Sequence, residues 1–169
     1  MKVRVLGIDP GTVLMGYGVV DADDGDVSLV CCGALSAARG EPLSVRLFAL
    51  YRELADLIAR YQPTEAAIEE PFVAKNVRAA MAVGQATGVA LAAIAEGGIP
   101  AYCYAPTYIK QAVTSYGRSD KGQVQEMVRL QLRLPTVPQP EDAADACAVA
   151  ICHIQEMRLG RGLGGGRER

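Results

Sequence analysis

Hydrophobic and polar positions change period along the chain, and the changes mark out its elements. Val3–Asp9 is a nearly continuous apolar run, the pattern of a central strand covered on both faces, and Pro10-Gly11 breaks it. Gly16–Asp21 and Val27–Leu35 read as two further strands, joined by the polar turn Asp23-Asp24-Gly25-Asp26. Short connections make these three strands antiparallel neighbours. From Pro42 to Tyr61 the period becomes helical, with Leu43, Leu47, Leu50, Leu54, Leu57 and Ile58 on one face. Ala66–Glu69 predicts a short strand, Asn76–Glu96 a long helix and Ala101–Tyr104 another short strand. Three helices are predicted after that: Ala105–Tyr116, Asp120–Leu134 with Asp120 as N-cap, and Glu141–Met157 behind a loop containing Pro135, Pro138 and Pro140. A meander followed by alternating helix and strand predicts an α/β domain: a mixed five-stranded sheet, three antiparallel strands and then two parallel, flanked by helices. Residues 1–157 are assigned to this domain. Residues 158–169, rich in Gly and Arg and without apolar period, are expected to form a disordered basic tail.

Length and composition agree with one packed domain: 169 residues, half of them hydrophobic. The opening MKVRVLGID is strand-like and has no leader character. Only Ala79–Ala95 could be mistaken for a membrane span. Gln85, Thr87 and two glycines inside it, with Arg78 and Glu96 at its ends, favour a buried Ala-rich helix and a cytoplasmic protein with no membrane partner. Cysteines stand at 31, 32, 103, 147 and 152, an odd number with no C-x-x-C, so free thiols are expected rather than a zinc site or a disulfide framework. Cys152 beside His153 could be read as a nucleophile and base. Neighbours on a helix point about 100° apart, which argues against it. The Asp21–Asp26 run lacks the terminal acid of a calcium loop and reads as a hairpin turn.

The net charge of −2 hides an uneven distribution. Residues 1–74 carry six basic and eleven acidic groups, whereas residues 75–133 carry seven basic and three acidic. The middle stretch offers a cationic surface for phosphates, or an ordinary solvated face.

The candidate chemistry lies in four carboxylates. Asp9 ends the first core strand and Glu69 ends the fourth, positions where a charge is unusual because strand interiors deplete Asp and burial of an unpaired charge is costly. Two acids ending paired strands repel unless a cation sits between them. Asp142 and Asp145 are three apart at the start of the last helix and project from one face. Four acids on three elements make an oxygen-rich site suited to Mg²⁺ or Mn²⁺, and two such ions would suit phosphodiester cleavage. Each acid alone has an ordinary reading: Asp142 as a helix-dipole partner, Asp9 as a turn residue, Glu69 as a surface acid.

At these residues the chain resembles the RuvC family of bacterial Holliday-junction resolvases. Gly7-Ile8-Asp9-Pro10-Gly11 resembles that family's first motif, Ala67-Ile68-Glu69-Glu70-Pro71-Phe72 its second, and Asp142-Ala143-Ala144-Asp145-Ala146 its third. Ala74-Lys75-Asn76, Gly84-Gln85-Ala86-Thr87-Gly88, Ile109-Lys110-Gln111 and Asp120-Lys121-Gly122-Gln123 match in the same order, so the resemblance runs from about residue 3 to 157. It implies an RNase H-like fold, a homodimer, and Mg²⁺-dependent paired nicks in a four-way DNA junction during recombination and repair, with two ions per site and Mn²⁺ as a substitute. It implies work beside the RuvA and RuvB branch-migration proteins. The family's catalytic and metal-binding carboxylates fall on Asp9, Glu69, Asp142 and Asp145. Its DNA contacts fall on Phe72, Lys75, Asn76, Lys110 and Lys121, with Phe72 either stacking on a base or packing in the core. The long helix from Asn76 resembles the family's dimer-forming helix. Pro71 departs from the pattern and would stiffen the loop before Phe72. Arg158, Arg161, Arg167 and Arg169 follow no pattern of the family. His153 resembles a family histidine and is expected to be structural.

Two other readings compete. Asp9-Pro10-Gly11-Thr12 also resembles the first phosphate motif of actin-like ATPases and sugar kinases, which need two such domains; 169 residues supply one. A catalytically silent junction-binding module would have no use for four acids beside phosphates.

Overall fold

The computed structural model describes residues 2–70 and 76–160. The elements, in chain order, are β1 (Val3–Asp9), β2 (Leu14–Asp23), β3 (Asp26–Ser36), α1 (Leu43–Tyr61), β4 (Glu65–Glu69), α2 (Val77–Glu96), β5 (Ala101–Tyr104), α3 (Pro106–Thr114), α4 (Lys121–Gln131) and α5 (Glu141–Arg158). The strands form one sheet in the order β3-β2-β1-β4-β5. β1, β2 and β3 pair antiparallel, while β4 runs parallel to both β1 and β5. This is the mixed sheet that the meander and its crossovers predict.

The strands' two-residue period sorts side chains between two cores. Leu6, Ile8, Met15, Val19, Ala66 and Ile68 pack with Leu50, Leu54, Ala86 and Ala90 of α1 and α2. Val3, Val5, Val20, Ala67, Tyr102 and Tyr104 pack with Ile109, Val113, Val124 and the buried side of α5. By the same alternation, odd-numbered residues of β1 and β4 face α5. Asp9 and Glu69 share that parity with Val5 and Ala67, so both are aimed at the face that α5 covers.

α5 lies against the β1–β2 pair because glycine replaces side chains there. A Cβ at Gly7 would stand 2.0 Å from the Ala146 carbonyl oxygen, and one at Gly16 would stand 2.0 Å from the Asp142 carbonyl oxygen. Gly16 is also the cross-strand partner of Asp9. The missing side chain therefore seats the first turn of α5 beside the carboxylate that ends β1.

Several boundaries differ from the periodic reading. β2 and β3 extend to an Asp24-Gly25 turn with φ of 42° and 100°, a tight hairpin in which both residues are left-handed. The Asp21–Asp26 run is the hairpin that its sequence predicts, and Asp21 is held by the Arg4 guanidinium at 2.7 and 2.9 Å. α3 stops at Thr114, two residues short of Tyr116, because Ser115 turns left-handed at φ 62°. Asp120 caps α4 as predicted: its carboxylate accepts from the Gln123 N–H at 2.8 Å, and the Gln123 side chain accepts from the Asp120 N–H. α5 includes Arg158, assigned to the tail from its sequence, and Arg158 donates to the Asp26 carbonyl at 3.2 Å. The remainder of the predicted tail, 161–169, lies outside the described residues.

α2 corrects the expectation of a buried helix. Ala86, Thr87, Ala90, Ala93 and Ile94 are buried, but Val77 and Met81 are 65% and 62% exposed. It is long and apolar enough by length and composition to cross a membrane, yet one face packs into the sheet's core.

Candidate active site

β1 and β4 are adjacent and parallel, with Ile8 beside Ile68, so Asp9 and Glu69 emerge together from the sheet's C-terminal edge. α5 begins at this edge and delivers Asp142 and Asp145 from its first turns. The structure thus brings together the four acids that the sequence singled out. Asp9, Glu69 and Asp145 each hold their proton more tightly than a free carboxyl. Burial pushes the Asp9 carboxyl up to about 7, reinforced by Glu69, Asp145 and Asp142 and opposed by Lys121. Burial also raises Glu69, with Asp145 adding to the effect and Lys110 and Lys121 opposing it. Asp145 is raised mainly by burial, against the Lys121 hydrogen bond. Like charges held in a low-dielectric cleft create a demand for a cation.

Lys121 supplies one such cation. Its ammonium lies 3.0 Å from Asp145 and 2.9 Å from Glu141. The hydrogen bond to Glu141 is the main reason its own pKa is raised, despite desolvation. Lys110, Lys121, Glu69 and Asp145 line one hollow of about 130 Å³, floored by Ile109, Val124 and Ala148. Among the described residues no three of the acids stand close enough to enclose one ion. The cleft is an open set of oxygen donors around a cationic side chain. The donor set fits a hard divalent cation such as Mg²⁺, which prefers carboxylate oxygen and retains several waters. Asp9, Glu69, Asp142 and Asp145 are the residues that would hold such ions, each ion taking one or two of these carboxylates and completing its shell with water.

The remaining predicted contacts divide. Asn76 caps α2, its side-chain oxygen accepting from the Ala79 N–H at 3.1 Å. Phe72 and Lys75, with Pro71, fall outside the described residues. Glu141 escaped the sequence reading, which took it only as a helix start. Its signal was an acid immediately before Asp142 in a first helical turn, with no hint that Lys121 would reach it. Cys152 is no nucleophile beside His153: burial pushes its thiol up to about 12, and His153 is bonded elsewhere.

Strand order and site together define a class: an RNase H-like α/β protein with an acidic cleft at adjoining strand ends and lysines on the rim. Comparison with known proteins narrows it. The family model for crossover junction endodeoxyribonuclease RuvC matches residues 5–153. A protein of that name from Chloroflexus aggregans is 58% identical over 151 residues, covering 89% of this chain and 92% of its own. One from Roseiflexus is 53% identical over 164 residues, covering 97% and 98%. The structure of T. thermophilus RuvC in complex with a Holliday junction substrate has a TM-score of 0.89 and 34% identity, covering 98% of both chains. The chain belongs to the RuvC family.

Proposed function

We propose that this protein is a structure-selective endonuclease that resolves four-way DNA junctions by paired, symmetric phosphodiester hydrolysis in recombination and repair. The observation that carries the reading is the convergence of Asp9, Glu69, Asp142 and Asp145 at one sheet edge, with Lys110 and Lys121 beside them. Mg²⁺, two ions per site with Mn²⁺ as a substitute, would supply Lewis acidity and an activated water. The carboxylates would hold the ions. Lys110 and Lys121 would take the backbone phosphates on the rim, joined by Asn76, the N-cap of α2, and by Lys75, with Phe72 as a stacking platform. In this reading the Lys121 ammonium neutralises Asp145 in the resting cleft and turns towards phosphate when DNA arrives. RuvA and RuvB are the proposed partner proteins, by family membership.

A homodimer suits paired cutting, because two-fold symmetry places one site on each of two strands. The proposed contact is the apolar face shared by α1 and α2. Leu47, Phe48, Tyr51, Gly88, Val89 and Ala92 line an open groove there, and Phe48 is 61% exposed. Among the described residues, nothing beyond α2's own backbone lies within 4 Å of a Cβ built at Gly84 or Gly88, so a second backbone has room to approach.

The test is a four-way junction with labelled arms, incubated with the protein and Mg²⁺. Symmetric nicks in two opposing strands are expected. Failure to cut junctions of varied central sequence in either Mg²⁺ or Mn²⁺ would overturn the reading.

A further inference from the structure

Behind the cleft, α5, β4 and β5 share a buried polar network that the proposed chemistry does not use. His153 is completely buried. Its Nε2 lies 2.6 Å from Glu65 Oε2, and its Nδ1 lies 2.7 Å from the Tyr104 hydroxyl. Burial holds the imidazole pKa down, against the opposing pull of Glu65. A neutral ring with its hydrogen on Nε2 satisfies both contacts: Nε2–H donates to the Glu65 carboxylate, and the Tyr104 hydroxyl donates to Nδ1. The rings of Tyr102 and Tyr104 flank the imidazole, with centroids 4.4 and 5.8 Å away. Tyr104 in turn stacks on Tyr108, whose hydroxyl donates to Glu156 of α5.

Every partner sits on an element that reaches the cleft. Glu65 begins β4, which ends at Glu69. Tyr104 is the cross-strand neighbour of Glu69 on β5. His153 follows Asp145 by eight residues on α5. β4 ends at the cleft and α5 begins there, so the two run in opposite directions. Eight helical residues span about 12 Å, and the four strand residues from Glu65 to Glu69 span about 13 Å. The spans match. The bond between His153 and Glu65 therefore sets the height at which Asp145 stands over Glu69. An apolar pair of equal volume would bury as much surface but could slide, since hydrophobic contact is non-directional. Two hydrogen bonds to one rigid ring fix both the height and the rotation of α5.

We propose that Glu65, His153 and Tyr104 form a positioning device that locks α5 onto β4 and thereby sets the spacing of the carboxylates at the cleft. The inference rests on the nuclease reading. The experiment measures Mn²⁺ binding without DNA by electron paramagnetic resonance, junction binding without metal, single-turnover cleavage and melting temperature. For Glu65→Ala, Mn²⁺ affinity should fall about tenfold, on the scale seen when outer hydrogen-bond partners of metal ligands are lost, and cleavage should fall at least as much. Metal-free junction binding should stay unchanged. Glu65→Gln keeps an oxygen acceptor for Nε2–H and should restore most of both activities. Tyr104→Phe removes one bond, keeps the ring packing, and should lie between; it carries the test on the same criterion if Glu65→Ala does not fold. A Glu65→Ala protein with unaltered Mn²⁺ affinity and cleavage, whatever its melting temperature, would overturn the proposal. Absence of Mn²⁺ binding by the unmodified protein would instead refute the nuclease reading.

Discussion

Gly16 offers a severe test of how the cleft is assembled. A methyl group there would stand 2.0 Å from the Asp142 carbonyl oxygen and 2.5 Å from its carbon. Ordinary contact begins near 3.4 Å. Both colliding atoms are backbone, so no side-chain rotation relieves them, and the first turn of α5 must retreat by about 1.4 Å. Overpacking of this kind costs roughly 1–3 kcal/mol or more. For a domain of this size that is a fall in melting temperature of about 3–10 °C. The effect on catalysis should be larger, because a shift of about 1 Å at reacting groups can cost a hundredfold in rate. Gly16→Ala is therefore expected to melt several degrees lower, to bind a four-way junction, and to cut it about a hundredfold more slowly in a single turnover. Gly40→Ala, where a Cβ meets nothing within 4 Å among the described residues, serves as the control and should match the unmodified protein. A Gly16→Ala protein with unmodified melting temperature and cleavage rate would refute the seating of α5 on the bare strand pair.

Two further predictions concern charge and assembly. The Asp9 carboxyl titrates near 7 in the fold against 3.8 normally, so the folded state binds the extra proton between those values and loses that advantage as pH rises. Asp9→Asn should accordingly be no more stable than the unmodified metal-free protein near pH 4 and increasingly more stable up to pH 8, and Mg²⁺ should raise the unmodified protein's melting temperature most at the alkaline end; a pH-independent difference would contradict the origin assigned to that pKa. Met81→Asp places a charge on the exposed face of α2 and should convert a dimer to a monomer in analytical ultracentrifugation, with the melting curve showing an intact fold; a dimer that persists would move the interface elsewhere.

Asp9 and Glu69 were legible in the sequence because each puts a carboxylate on the last residue of an apolar run, a contradiction that local pattern alone exposes. Asp142 and Asp145 were less so: spacing puts them on one face of a helix but does not say what that face meets. What it meets is decided by Gly7 and Gly16, and a glycine in a strand gives no sign of which helix will lie against it. The partnership of Glu65 with His153 was hidden for the same reason, since it depends on the height of α5 along β4, a quantity with no periodic signature. α2 misled in the opposite sense. Its apolar residues cover more of the helix surface than one core needs, and composition reads that surplus as burial, whereas the chain leaves Val77 and Met81 exposed. The end of α3 at Ser115 is a backbone choice by a residue that favours no particular stop.

The most direct test of the central claim is a comparison of the unmodified protein and Asp9→Asn on one labelled four-way junction in Mg²⁺. The account predicts that both bind the junction, that the unmodified protein cuts two opposing strands symmetrically, and that Asp9→Asn leaves every strand intact. Cleavage by Asp9→Asn at the unmodified rate would contradict it.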